Sequence, residues 1–190
     1  SARGAFGPID VMVCNAGVAY AGDIHSPDEQ WQRVWDVNVM AHVFAARAVL
    51  DEWLERGEGY FVSVASAAGL LTALGAGPYS VTKHAVVGLA EWMSATYGSR
   101  GIRVSAVCPQ GVGTRMLESY EEHVSPVLLS ENAVDVEDVA SAFVHGIEHE
   151  RFLITPHPEA LEYFRHKAQD WDRWLGRMQG LQQEFIDKIE

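Results

Sequence analysis

The chain has 190 residues, 48% of them hydrophobic and 21% charged, a balance that suits one globular domain with a sizeable core. Its formal net charge of −12 argues against nucleic acid or an anionic membrane surface as a partner. The two cysteines, Cys14 and Cys108, sit in apolar runs and fit buried reduced thiols, and no run reaches the ~18 apolar residues of a membrane span.

In chain order, Ile9 to Cys14 reads as a buried strand that ends in the turn Asn15-Ala16-Gly17. Ser26-Pro27-Asp28-Glu29 has the form of a helix start: Ser26 as the cap, Pro27 in the first helical position and Glu29 closing a capping box. Apolar residues then recur at helical spacing from Trp31 to Arg56, and Gly57 and Gly59 end the pattern. Tyr60 to Val64 is a second strand, followed by a small-residue loop from Gly69 to Gly77. A helix is expected from Tyr79 to Tyr97, and a third strand from Arg103 to Cys108 that Pro109 ends. Residues 110 to 134 have no clean period. Asp135 suits the cap of a helix running to about His149, Phe152 to Ile154 reads as a short strand, and the stretch from Pro158 to Glu190 is helical in period. Apolar strands alternating with helices imply an α/β fold, a doubly wound parallel sheet covered on both faces. One domain over residues 1–190 is expected, with a substrate lid at 115–134 and a helical extension at 158–190.

Chemistry enters with Tyr79-Ser80-Val81-Thr82-Lys83 at a helix start, which puts Tyr79 and Lys83 one turn apart on one face. A tyrosine is a poor proton carrier at neutral pH, and an adjacent ammonium is expected to lower its pKa. Ser66 lies just past a strand end, where parallel sheets bind ligands, and could hold a substrate oxygen; its bland reading is a turn-forming serine. Asn38 interrupts a valine-rich helical stretch, which suggests a kink or a specific polar duty. His145, Glu148 and His149 have helical ligand spacing but read as solvated, so no metal is expected, and His157 between two prolines reads as a turn residue.

Together these residues resemble the classical short-chain dehydrogenase/reductase family. Cys14-Asn15-Ala16-Gly17 is similar to its Asn-Asn-Ala-Gly element. Asn38, Ser66, Tyr79 and Lys83 follow the order of its catalytic set, and Pro109-Gln110-Gly111-Val112-Gly113-Thr114 matches its Pro-Gly and Val-x-Thr turn except at Gln110. The resemblance covers about residues 5 to 155 and implies an NAD(P)-dependent oxidoreductase that moves a hydride between nicotinamide and a secondary alcohol or ketone. It implies Tyr79 as general acid and base, Lys83 lowering the tyrosine pKa and holding the nicotinamide ribose, Ser66 orienting the carbonyl, and Asn38 anchoring a water of a proton relay. Asn15, Ala16 and Gly17 would border the adenosine side of the cofactor, with Pro109, Gly111, Val112 and Thr114 at its carboxamide end. Gln110 puts the backbone shape of that turn in question, since Gly tolerates conformations that Gln does not. Tyr20, the Leu70-Leu71 pair, Met116, Leu117 and Tyr120 are expected to line the substrate site, and an apolar carbonyl compound is the expected substrate.

The same resemblance implies a homodimer or homotetramer. No basic-then-apolar leader is visible, and the cytoplasm is the expected location. The family also begins with a glycine-rich phosphate-binding turn that is absent before Ile9, so about 60–90 residues, two βα units, are expected to precede this sequence in the native protein. The residue that selects NAD or NADP would lie there, with NAD slightly favoured. Two rivals are a silent binding or scaffold protein, or a non-functional fragment, that keeps the fold, and a nucleotide-sugar epimerase or dehydratase. Against the first stands the full catalytic set; against the second, the short chain after Pro109.

Overall fold

The computed structural model describes residues 2–114, 116 and 133–189. A short helix α1 (Ala2–Phe6) precedes β1 (Val11–Cys14), α2 (Asp28–Trp35), a π-helical turn (Asp36–Met40) and α3 (Ala41–Arg56). Next come β2 (Gly59–Val64), a 3-10 turn (Ala67–Gly69), α4 (Gly77–Tyr97), a second 3-10 turn (Gly98–Arg100) and β3 (Ile102–Val107). The remaining described elements are α5 (Val136–Glu148), β4 (Leu153–Ile154), α6 (Pro158–Gln169) and α7 (Trp171–Ile189).

The four strands form one parallel sheet in the order β1-β2-β3-β4. Register sets which residues share a face. Met12 lies opposite Phe61 and Phe61 opposite Val104, so these three point one way, while Val11, Tyr60 and Val62 point the other. The first face packs against Val49 and Trp53 of α3 and Val86, Ala90 and Met93 of α4, the main core. The opposite face buries Val62, Val107 and Ile154 beneath Phe143 and Ile147 of α5. Helices therefore cover both faces, as the apolar strands imply. Within the described residues β1 pairs with β2 alone, and Val11 and Val13, on the α5 face, remain 46% and 43% exposed.

Two local expectations are corrected. Ser26 does not cap α2: the helix begins at Asp28 behind Pro27, with no side-chain cap bond, and the Gln30 amide bonds the Pro27 carbonyl instead. Nor is 31–56 one regular helix. A π turn at Asp36–Met40 inserts a wider ring, and the completely buried Asn38 lies within it. Such turns arise where an inward polar group takes backbone partners of its own. The stop at Gly57 is as expected: it takes φ +75 and its amide bonds the Trp53 carbonyl at 2.8 Å. The C-terminal stretch is two helices, broken at Asp170.

Candidate active site

Parallel strands bring their C-terminal ends to one edge, and there the chain encloses a cavity of about 690 Å³. Asn15, Ala16 and Gly17 line it from the end of β1, Ser66 from the end of β2, and Tyr79 and Lys83 from the first turns of α4. Pro109, Gly111, Val112 and Thr114 border it after β3, with Met116 beyond them. Asn38 stands behind this wall. Its Oδ1 accepts the Val18 amide (2.8 Å), and its Nδ2 donates to the Val18 carbonyl (2.9 Å) and to Thr82 Oγ1 (3.1 Å). The π turn thus clamps the Asn15–Val18 loop to α4. A Cβ placed on Gly17 would lie 3.5 Å from Asn38 Oδ1 and 3.6 Å from Lys83 Nζ, so these groups gather around one point.

Ser66 has extended backbone and heads the 3-10 turn: its Oγ accepts the Ala68 amide (3.1 Å) and donates to the Pro109 carbonyl (3.4 Å). It also hydrogen-bonds the Tyr79 side chain, so this turn-forming serine stands at the cavity wall in contact with the tyrosine. The turn can lie against α4 because residue 69 is glycine. A Cβ there would come within 2.5 Å of the Lys83 carbonyl oxygen.

Electrostatically the pair differs from expectation. Burial raises the Tyr79 pKa above the ordinary tyrosine value, against the smaller opposing effect of the Ser66 bond. The net direction is upward, opposite to the lowering expected from Lys83. Taking a phenolate out of water is expensive, and the Lys83 ammonium donates to the Val64 carbonyl (3.0 Å), with its Nζ 5.6 Å from the Tyr79 ring centre. Burial brings the lysine itself down to about 8, opposed by nearby Cys108. Both thiols are free, with burial raising Cys14 to about 11 and Cys108 to about 12. His42, one turn beyond Asn38, is 1% exposed, with Nδ1 3.2 Å from Ser63 Oγ. Burial, then the charge of Lys83, lowers it to about 4.

The substrate expectations divide. Met116 and Leu71 border the cavity, but Leu70 is a core residue. Tyr20 is 41% exposed and does not line the cavity. Leu117 and Tyr120, like most of the 115–134 lid, lie outside the described residues. Lining residues that the sequence reading passed over are Thr72 to Leu74, Val136 and Val139 of α5, and Tyr163 of α6. His157 is not a plain turn residue. It is 1% exposed, accepts the Gln110 amide at Nδ1 (3.1 Å) and reaches the Gly111 carbonyl through Nε2 (3.0 Å). An Nδ1 that accepts requires the proton on Nε2, which then donates. Gln110 keeps a negative φ, so Gln fits the turn without strain, and the side chain of His157 holds its shape. His145 and Glu148 on α5 and His149 just past its end are exposed, with potential ligand atoms within 4.8 Å of one another.

The short chain dehydrogenase family model matches residues 1–125. Over 114 residues the chain is 40% identical to the inactive 2-(S)-hydroxypropyl-CoM dehydrogenase 2 of Xanthobacter autotrophicus, covering 60% of this chain and 50% of that protein. Over 152 residues it is 31% identical to estradiol 17-beta-dehydrogenase 11 of Mus musculus, covering 78% and 49%. The chain thus spans about half the length of these curated relatives. Among solved structures, a short chain dehydrogenase/reductase from Burkholderia phymatum in complex with NAD superposes with a TM-score of 0.78 at 28% identity, over 90% of this chain and 69% of that one.

Proposed function

This chain belongs to the short-chain dehydrogenase family, and on that premise we propose that it supplies the proton-handling and substrate-facing part of an NAD(P)-dependent oxidoreductase acting on an apolar secondary alcohol or ketone. The observation that carries the proposal is the meeting of Ser66, Tyr79 and Lys83 at one wall of the cavity. The nicotinamide side of a dinucleotide fits what lies around them. The space beside Gly17 is bounded by polar atoms of Asn38 and Lys83, and His157 fixes the turn that would hold the carboxamide. Asn15 to Gly17, Lys83 and Pro109 to Thr114 would hold it, and when bound it supplies or accepts the hydride.

Burial keeps the Tyr79 hydroxyl protonated at neutral pH, the state needed to give a proton to a carbonyl oxygen during reduction. Ser66, once its single hydroxyl hydrogen turns from the Pro109 carbonyl, offers a second hydrogen bond to the same oxygen and orients it. In the oxidative direction Tyr79 must ionise. Lys83, charged below about pH 8, is placed to stabilise the phenolate once its remaining hydrogens turn from the protein toward ligand and phenol. Asn38 fixes the loop and helix that frame Lys83, and its Oδ1 is the proposed anchor of a relay water. The far wall, with Leu71, Leu74, Val139 and Tyr163, favours an apolar substrate. Phe44, Val81 and Trp92 are exposed on α3 and α4 and are the proposed faces of a homo-oligomer.

The test uses the whole protein that carries this chain. Tyr79→Phe should lower kcat about 100-fold or more for an aliphatic ketone with NADH or NADPH, while nicotinamide fluorescence still reports saturable cofactor binding. Turnover within a few-fold of wild type would overturn the proton-transfer role. Cofactor binding without turnover in the wild type would favour the silent-fold reading, the state that the name of the Xanthobacter relative describes.

A further inference from the structure

We propose that Lys167 is a positioning residue that ties the C-terminal helices to the loop after Ser66 and so sets which substrates the cavity admits. The inference rests on the oxidoreductase reading for its kinetic consequence, although the clamp itself is a feature of the fold.

Lys167 lies near the end of α6 and is 3% exposed. Its Nζ donates to the consecutive carbonyls of Leu70 (2.7 Å) and Leu71 (3.0 Å), across nearly the whole length from the end of β2 to the C-terminal helices. The ring centres of Trp171 and Trp174 stand 4.7 and 5.0 Å from the same nitrogen. Burial lowers the lysine pKa, and the salt bridges of the described residues do not include it. What offsets the lost hydration is therefore a pair of carbonyl dipoles and two indole faces, both within cation–π range. The carbonyls belong to the two residues that follow the 3-10 turn Ala67–Gly69.

This clamp bears on the cavity because of what the loop does next. Leu71 to Leu74 form its wall, and Ala73 is held from the other side by Ser80, whose Oγ accepts the Ala73 amide (2.8 Å) and donates to its carbonyl (3.1 Å). The wall is strung between Lys167 on α6 and Ser80 on α4. Tyr163, one turn before Lys167, lines the same cavity, so α6 contributes to the wall and fastens the loop beside it. Ser66 has separate anchors in the Ala68 amide and the Pro109 carbonyl, and Tyr79 is fixed by α4. Releasing Lys167 loosens the wall and spares the proton-handling pair.

The experiment compares wild type, Lys167→Met, Lys167→Arg and Tyr163→Ala in two ways. Hydrogen exchange reads the clamp without any need for activity: in Lys167→Met the amides of residues 70–74 should exchange at least about tenfold faster while those of β3 are unchanged, and Lys167→Arg should restore much of the protection. Steady-state kinetics over a series of 2-alkanones reads selectivity. The preference for long over short ketones should fall roughly tenfold in Lys167→Met, through KM, with kcat for the shortest ketone within about twofold of wild type. Should Lys167→Met fail to fold, Lys167→Arg and Tyr163→Ala remain: Arg should lose a smaller part of the protection at 70–74 together with a matching part of the chain-length preference, whereas Tyr163→Ala should shift the preference with exchange at 70–74 unchanged. Unchanged exchange at 70–74 refutes the clamp. Faster exchange with an unchanged preference refutes its role in selectivity. Absence of turnover in the wild type with any ketone refutes the proposed function instead and leaves the exchange result to decide the clamp.

Discussion

Lowering the pH from about 7.5 to about 5 should weaken this fold by about 2 kcal/mol through His42 alone. The imidazole is 1% exposed between the sheet and α3, its Nδ1 faces Ser63, and its Nε2 has no hydrogen-bond partner among the described residues. Burial and then Lys83 hold its pKa at about 4, against 6.5 for a free histidine. Between those values the unfolded chain binds a proton that the folded chain refuses. The stabilisation is therefore complete above the unfolded pKa and lost as pH falls toward the folded one, amounting to about 3 kcal/mol in total at about 1.4 kcal/mol per unit. Other groups also titrate in this range, so the informative quantity is a double difference. Urea unfolding of wild type and His42→Asn, followed by circular dichroism at several pH values, isolates it. Asn keeps a polar atom near Nδ1 and does not titrate. The variant should be less stable at neutral pH and show a pH dependence shallower by about 2 kcal/mol over the interval. Parallel curves for the two proteins would show that His42 does not titrate as its burial requires, and would refute the reasoning.

Gly69→Ala forces a methyl to within 2.5 Å of the Lys83 carbonyl oxygen, so the 3-10 turn must move off α4. A loss of about 1–3 kcal/mol in thermal or urea unfolding is expected, with a fall in kcat as Ser66 shifts from Tyr79; an unchanged Tm would show that the turn yields freely. His157→Phe fills the volume but leaves the Gln110 amide and the Gly111 carbonyl without their partner, which should cost about 1–3 kcal/mol. Dinucleotide affinity, read by nicotinamide fluorescence, should also fall, roughly tenfold, because the turn that meets the carboxamide loses its brace. Unaltered affinity would confine His157 to a stability role.

What the sequence determined by itself was the information carried locally. Unbroken apolar runs announced β2 and β3 as strands buried on both faces, although β1, read the same way, leaves Val11 and Val13 exposed, and helical periodicity placed α3 and α4. The spacing of Tyr79 and Lys83 put them on one side of a helix. Asn15, Ser66 and Pro109 each follow a strand, which suffices to bring them to one sheet edge, because parallel strands share that edge whatever else surrounds them. Tertiary structure alone decided what depends on partners far along the chain. His157 bonds residues 46 and 47 positions away, and Lys167 reaches carbonyls 96 and 97 positions away; neither has a periodicity that announces it. Leu70 and Leu71 are adjacent and chemically alike, and only the direction of the turn after Ser66 sends one into the core and the other into the cavity. The direction of the Tyr79 shift is of the same kind. Spacing shows that an ammonium lies near, but whether a phenolate is favoured depends on how much water remains around it, and desolvation is a property of the packed surroundings that linear order does not carry.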